Sequence, residues 1–229
     1  METKDLTKEL MKVILPVEYW ENEFNCEWKN GSCPNYYFLK FLRDYQDQLG
    51  SKILDLGSGD GRHLLLLAQL GYNVTGLELT ESGIKTTKDR LIKSGLTAEL
   101  IRASFHEVPY GDESFQSVVS TQALHYNNWG GVLKSFSEVN RILKPGGLFF
   151  FRARSDKGAW RETDQQIEDY GITRIETRGE CKFVVMVHDF TLNEIEELGI
   201  RNNFDILETP IDDDINGKPG QWNVVFQKK

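Results

Sequence analysis

Lys52-Ile53-Leu54-Asp55-Leu56-Gly57-Ser58-Gly59-Asp60-Gly61-Arg62 decides how this chain of 229 residues is read. The apolar run predicts a strand over Lys52–Leu56. Glycines at 57, 59 and 61 break it and free the backbone for a sharp turn. His63-Leu64-Leu65-Leu66-Leu67-Ala68-Gln69-Leu70 follows as a helix, apolar nearly all round, that ends at Gly71. A helix entered through bare main chain presents unpaired N–H groups and the positive end of its dipole, and the carboxyl end of a strand is where open α/β sheets bind ligands. Three alternating glycines between an apolar strand and an apolar helix therefore point to a ligand loop.

Outward from this loop the chain alternates strand and helix. Asn73–Leu79 predicts a second strand, Ser82–Lys93 a helix, Thr97–Arg102 a strand, Ser114–Thr121 a fourth strand, Val132–Leu143 a helix and Leu148–Arg152 a fifth strand. Near-continuous apolar strands separated by helices mean a parallel sheet covered on both faces. Residues 153–189 are polar and poorly periodic apart from a strand-like Lys182–Val187. Thr191 with Glu194 has the capping-box pattern of a further helix. Phe204–Leu207 and Trp222–Gln227 follow with only a loop between them, so they pair antiparallel. Before the core, Leu6, Leu10, Val13 and Ile14 have helical spacing, and Tyr36–Leu49 reads as an amphipathic helix ending at Gly50.

The organisation expected is one domain: a helical cap over 1–49, a ligand-binding core from 50–152 and 190–229, and an insertion over 153–189 on the substrate side. The three cysteines, Cys26, Cys33 and Cys181, form no disulfide framework and no zinc site. The charged start has no apolar signal region, and no run approaches about 18 apolar residues, so neither secretion nor a membrane span is expected and the reducing cytoplasm is. With 27 basic against 35 acidic residues, a net charge of −8, nucleic-acid binding is unsupported.

A dinucleotide loop reads G-x-G-x-x-G with an acidic residue about 20 positions on. Here Arg62 holds the third glycine's slot, while Glu78 stands where a carboxylate would accept both ribose hydroxyls of an adenosine. Ribose binding is expected either way. The order Asp55–Gly61, Glu78, Val108-Pro109-Tyr110 and Arg141-Ile142-Leu143-Lys144-Pro145-Gly146-Gly147, closed by an antiparallel strand, resembles the class I S-adenosylmethionine-dependent methyltransferases, of the small-molecule, type 11-like kind. The resemblance runs from about Ser51 to the end. It implies a doubly wound, Rossmann-like, mostly parallel α/β sheet of seven strands with the last strand antiparallel, and S-adenosyl-L-methionine as cofactor, with S-adenosyl-L-homocysteine as product.

Carried over by position, the resemblance implies that Asp55, Gly57, Ser58 and Gly59 hold the methionine end, with Glu78 on the ribose and Leu79 on the adenine. Ser104 and Phe105 stand at the adenine amine, where the family usually has an acid. Thr121 and Gln122 face the methyl group. Gln116 replaces a common family aspartate at a position that points to structure more than chemistry. From the residues themselves, Arg62 would meet a carboxylate of cofactor or substrate, or remain a solvated helix residue. His125 would serve as general base or as a capping and packing residue, and Tyr126 as a pocket wall. Arg152 and Arg154 would suit an acidic acceptor or form ordinary salt bridges, and the Tyr19 and Trp20 aromatics would cover the cofactor as a lid or pack as core. His63, His106 and His188 lack metal-like spacing, so no metal is expected.

Methyl transfer from a sulfonium is an in-line displacement in which the protein mainly supplies alignment, so no catalytic triad is expected. Ser120-Thr121-Gln122-Ala123 is not the Asp/Asn-Pro-Pro-Tyr of enzymes that methylate planar nitrogens, and with the acidic balance a small-molecule acceptor leads. The competing readings are a non-catalytic cofactor-binding module, a protein or RNA acceptor and, remotely, an NAD-dependent oxidoreductase. Oligomeric state is not legible.

Overall fold

The computed structural model describes residues 34–157, 165–166, 172–178, 183–213 and 220–229. The cap expected before residue 34, Tyr19 and Trp20 included, lies outside the described residues, as do parts of the expected insertion. Helix α1 (Tyr36–Tyr45) starts at Asn35, whose side chain accepts from the N–H groups of Tyr37 and Phe38. The alternating core then runs β1 (Lys52–Leu56), α2 (Arg62–Gln69), β2 (Asn73–Glu78), α3 (Glu81–Lys93), β3 (Glu99–Arg102), β4 (Phe115–Thr121), α4 (Trp129–Ile142) and β5 (Leu143–Arg154). Strands β6 (Gln165–Gln166), β7 (Ile172–Arg178) and β8 (Phe183–Asp189) form a separate antiparallel sheet, and α5 (Leu192–Arg201), β9 (Phe204–Ile206), β10 (Ile211–Asp212) and β11 (Gln221–Lys228) finish the chain.

The main sheet has the order β10-β11-β5-β4-β1-β2-β3, with β9 also on β11. Strands β3 to β5 along this path are parallel, and β11 is antiparallel to β5, β9 and β10. The expected seven strands become eight because the edge beside β11 is interrupted: β9 and β10 share it, separated by Leu207–Pro210, and Pro210 has no N–H to give to the ladder. Strand β5 starts five residues earlier than expected, with a register shift between Phe115 and Ser117 and Gly146 in the left-handed region at φ 73°.

Side chains alternate across the sheet. Leu54, Leu56, Val118, Phe149, Phe151 and Phe226 meet α4 and α5, with Phe136 edge-on to Phe149, Phe151 and Phe226 at 5.2–5.6 Å. Ile53, Val119, Leu148, Phe150 and Val225 face α1, α2 and α3, with Phe41 stacked on Phe150 at 5.0 Å. Helix α5 carries the expected capping box between Thr191 and Glu194. The sequence order reverses between β1 and β4, the switch point where such sheets open a crevice. No helix among the described residues is long and apolar enough to cross a membrane.

Two glycines separate strain from collision. Gly57 (φ 78°) and Gly71 (φ 85°) are both left-handed, but a methyl at Gly57 would strike Ala123 Cβ, whereas Gly71 faces open space. Gly71→Ala is expected to cost about 1 kcal/mol from strain alone, and Gly57→Ala about 1–3 kcal/mol more from overpacking. Urea unfolding checks this; equal losses would mean that the β1–α2 turn has slack against Ala123.

Candidate active site

A cavity of about 370 Å³ opens at the switch point, within the range of small-molecule sites. One wall is the β1–α2 loop with the start of α2, from Gly57 to His63; the other follows β4 with Thr121, Gln122, His125 and Tyr126, and Arg154 and Gln221 close the far end. The loop is pinned from below. Gly57 and Ser58 donate to Leu77 O at 2.8 and 3.0 Å, and the Gly59 N–H reaches Glu78 Oε2 at 3.0 Å. Gly57, Gly59 and Gly61 all take positive φ, and among the described residues no atom stands within 4 Å of where a Gly59 Cβ would be. That space is a cradle a side chain would fill, and it lets a ligand lie on bare backbone.

Beyond the loop, the ends of β2 and β3 come together. Glu78 accepts from Thr80 N and Oγ1 through Oε1. A carboxylate has about four lone-pair sites; with Gly59 N–H and the two Thr80 donors holding three, one remains for a ribose hydroxyl, and a second is reached by displacing the Thr80 hydroxyl. Leu79 is 59% exposed, a large apolar surface free for a flat ring. Ser104 Oγ accepts from His106 N, and Phe105 is half-buried beside it. These residues fit the adenosine half of S-adenosylmethionine, and the cavity fits the methionine half.

Two sequence expectations change. Asp55 does not line the cavity; it is 1% exposed beneath the loop and accepts from the Leu64 N–H at the start of α2. Burial pushes its carboxyl up to about 7 against the pull of Arg62. Arg152 is likewise not in the lining: it donates to Asp213 Oδ2 at 2.6 Å and to Asn223, and it lies over the Tyr37 ring. It joins β5, β11 and α1, the salt-bridge alternative.

Arg154 does reach the cavity, paired through Nε with Asp189 at 2.8 Å. His125 is 2% exposed in the wall, and its carbonyl accepts from His188 N at 2.7 Å. Tyr126 beside it is exposed. Arg62 donates to Gln122 Oε1 at 2.9 Å, and Gln122 holds a left-handed φ of 57°, strain of the kind found at functional sites. The sequence reading missed Asp60, His63 and Gln221. The signal for His63 was an isolated polar residue on the apolar face of α2; Gln221 had none. Among the described residues no group of three or more His, Cys, Asp or Glu could hold a metal.

Residues 54–151 match the family described as a methyltransferase domain. The methyltransferase phqN of Penicillium fellutanum is 27% identical over 184 residues, covering 76% of this chain and 56% of that protein. A sterol 24-C-methyltransferase of Pneumocystis carinii is 29% identical over 166 residues, covering 67% of this chain and 43% of that one. The chain thus spans about half the length of these relatives. In fold it is similar to the Burkholderia thailandensis 1,6-didemethyltoxoflavin-N1-methyltransferase, solved with S-adenosylhomocysteine, at a TM-score of 0.66 and 14% identity, covering 93% of this chain and 85% of that one.

Asp55 makes stability depend on pH. Its folded pKa is raised from 3.8 to about 7, so the stability it contributes is fully present below about pH 4 and lost as pH rises through 7. Asp55→Asn removes that loss. The melting temperature of the variant relative to wild type should therefore climb between pH 5 and 8, by about 5–11 °C for about two pH units at 1.4 kcal/mol each and 2–4 °C per kcal/mol. A difference that stays flat with pH would mean that Asp55 is ionised throughout.

Proposed function

With the chain a member of the class I S-adenosylmethionine-dependent methyltransferase family, we propose that it methylates a small polar acceptor seated between the Gly59 loop and the wall of His125, Tyr126 and Arg154. The observation that carries this is the continuity of one cavity from the glycine loop to that wall. When bound, S-adenosylmethionine supplies a methyl carbon on a sulfonium: the acceptor's lone pair forms the new bond as the carbon–sulfur bond breaks, and the thioether leaves neutral.

The residues of this chain do the rest by position. The Gly57–Gly59 backbone and Ser58 hold the methionine end, with Arg62 beside it. Glu78 takes the ribose hydroxyls, Leu79 lies on the adenine, and Ser104 and Phe105 flank its amine. Thr121 and Gln122 bound the reacting carbon. Holding two reactants in line is worth about 7–11 kcal/mol of barrier, which explains a site without a triad. His125 is placed to accept the proton of an amine, hydroxyl or thiol acceptor, a role worth about 10²–10⁴ in rate. Arg154 and Tyr126 contact the acceptor.

Among the described lining residues His125, Tyr126, Arg154 and Gln221 make this wall polar, which favours a polar acceptor over a sterol. A protein or RNA acceptor has less support. Among the described residues the basic groups at the end of β5 and just after it are paired within the chain, Arg152 with Asp213, Arg154 with Asp189 and Lys157 with Asp212. Three scattered cysteines favour the reducing cytoplasm.

The test is methyl transfer from S-[methyl-13C]-adenosylmethionine to a panel of small acids, amines and thiols, followed by NMR of the products. Labelled product with a polar acceptor is expected, and His125→Asn should lower its kcat by about 10²-fold or more with S-adenosylhomocysteine affinity unchanged. Cofactor binding without turnover on any acceptor would leave a binding module instead; turnover on sterols alone would overturn the polar assignment.

A further inference from the structure

We propose that His63 is a positioning residue that makes Thr121 an obligate hydrogen-bond donor at the cavity wall, and that Thr121 and Arg62 together form a subsite for a carboxylate. The inference rests on the cofactor-site reading above and deepens it.

Asn35 fixes the tautomer of His63. Its backbone N–H, a group that only donates, lies 3.4 Å from His63 Nε2. The neutral ring must therefore accept at Nε2 and carry its hydrogen on Nδ1. Nδ1 lies 2.9 Å from Thr121 Oγ1, so the imidazole donates to the hydroxyl oxygen. The hydroxyl hydrogen cannot return to His63, and no other hydrogen bond of Thr121 Oγ1 exists among the described residues. Both residues line the cavity. The threonine thus offers a proton to whatever occupies it.

The tautomer is stable for a physical reason. His63 is 3% exposed, with its ring edge-on to Phe38 at 4.5 Å. Burial first, then the nearby Arg62 and Arg152 cations, hold its pKa well below the usual 6.5, so it stays neutral at working pH.

The ligand chemistry follows from the neighbours. Arg62, hydrogen-bonded to the residue after Thr121, brings a guanidinium to the same wall. Asp60, the one carboxylate of the described lining, is engaged by Arg90 at 2.8 Å. A hydroxyl donor beside a guanidinium matches an oxyanion and disfavours an ammonium. The carboxylate has two sources, the methionine end of the cofactor and an acid group on the acceptor.

Calorimetry with S-adenosylhomocysteine and 5′-methylthioadenosine, which shares its adenosine and sulfur but lacks the amino-acid end, tells them apart. Thr121→Val is expected to weaken S-adenosylhomocysteine about 10-fold or more, as for a hydrogen bond to a charged group, leaving 5′-methylthioadenosine within about 2-fold; Thr121→Ser should restore wild-type affinity. His63→Leu should move affinity in the same direction as Thr121→Val. If S-adenosylhomocysteine is unaffected but malonate binds the 5′-methylthioadenosine-loaded wild type and not loaded Thr121→Val, the subsite reads the acceptor's acid. No effect of Thr121→Val in either arm overturns the proposal. So does a histidine 15N spectrum of the wild type at pH 7 that puts the His63 hydrogen on Nε2, a readout that needs no variant. Wild-type binding of S-adenosylhomocysteine checks the underlying cofactor reading separately.

Discussion

Between Leu56 and Arg62 the chain leaves a buried strand and enters a helix with one buried face within five residues, and Gly57, Gly59 and Gly61 meet that constraint with φ of 78°, 57° and 80°. A side chain at Gly57 or Gly61 would hit Ala123 or Thr87, so the turn cannot be rebuilt with larger residues at either position. The same geometry fixes the ligand loop to its neighbours: two N–H groups are spent on Leu77, one on Glu78, and Asp55 accepts from the start of α2 below. Loop, ribose acid and helix end thus form one unit, and an adenosyl ligand meets a site already assembled.

The acceptor side is built differently. His125 and Arg154 come from the ends of β4 and β5, but consecutive residues of β8 hold both: His188 N donates to the His125 carbonyl and Asp189 pairs with Arg154. The next residue, Phe190, continues the contact through hydrogen bonds with Arg154 O, Asp156 N and Trp222 Nε1. The stretch after β5 thereby supplies the backing of the wall, whereas the glycine loop and Glu78 are held by β1, β2 and α2.

The core was legible because local rules suffice for it. Alternating strands and helices, the glycine spacing, Glu78 at the end of β2 and the Thr191–Glu194 cap each depend on residues close in sequence. What could not be read depends on distance along the chain. The partners of Arg152 lie 61 and 71 residues away, and those of His63 lie 28 and 58 away. Nothing linear distinguishes an arginine that faces a cavity from one spent on an aspartate. Strand β7 was missed because Ile172-Thr173-Arg174-Ile175-Glu176-Thr177-Arg178 is too charged to read as a core strand; its pairing with β8 defines it. Asp55 was assigned by analogy of position; its burial beneath the loop depends on the packing of α2 and could not be read from the sequence.

The central claim is that the crevice at the switch between β1 and β4 is where the adenosyl cofactor and its acceptor meet. A crystal structure with S-adenosylhomocysteine bound tests it most directly. The ribose hydroxyls should lie on Glu78, the adenine on Leu79, and the sulfur inside the cavity between Gly59 and Thr121, facing His125 and Arg154. A ligand bound elsewhere, or one whose sulfur points away from that wall, would contradict the account.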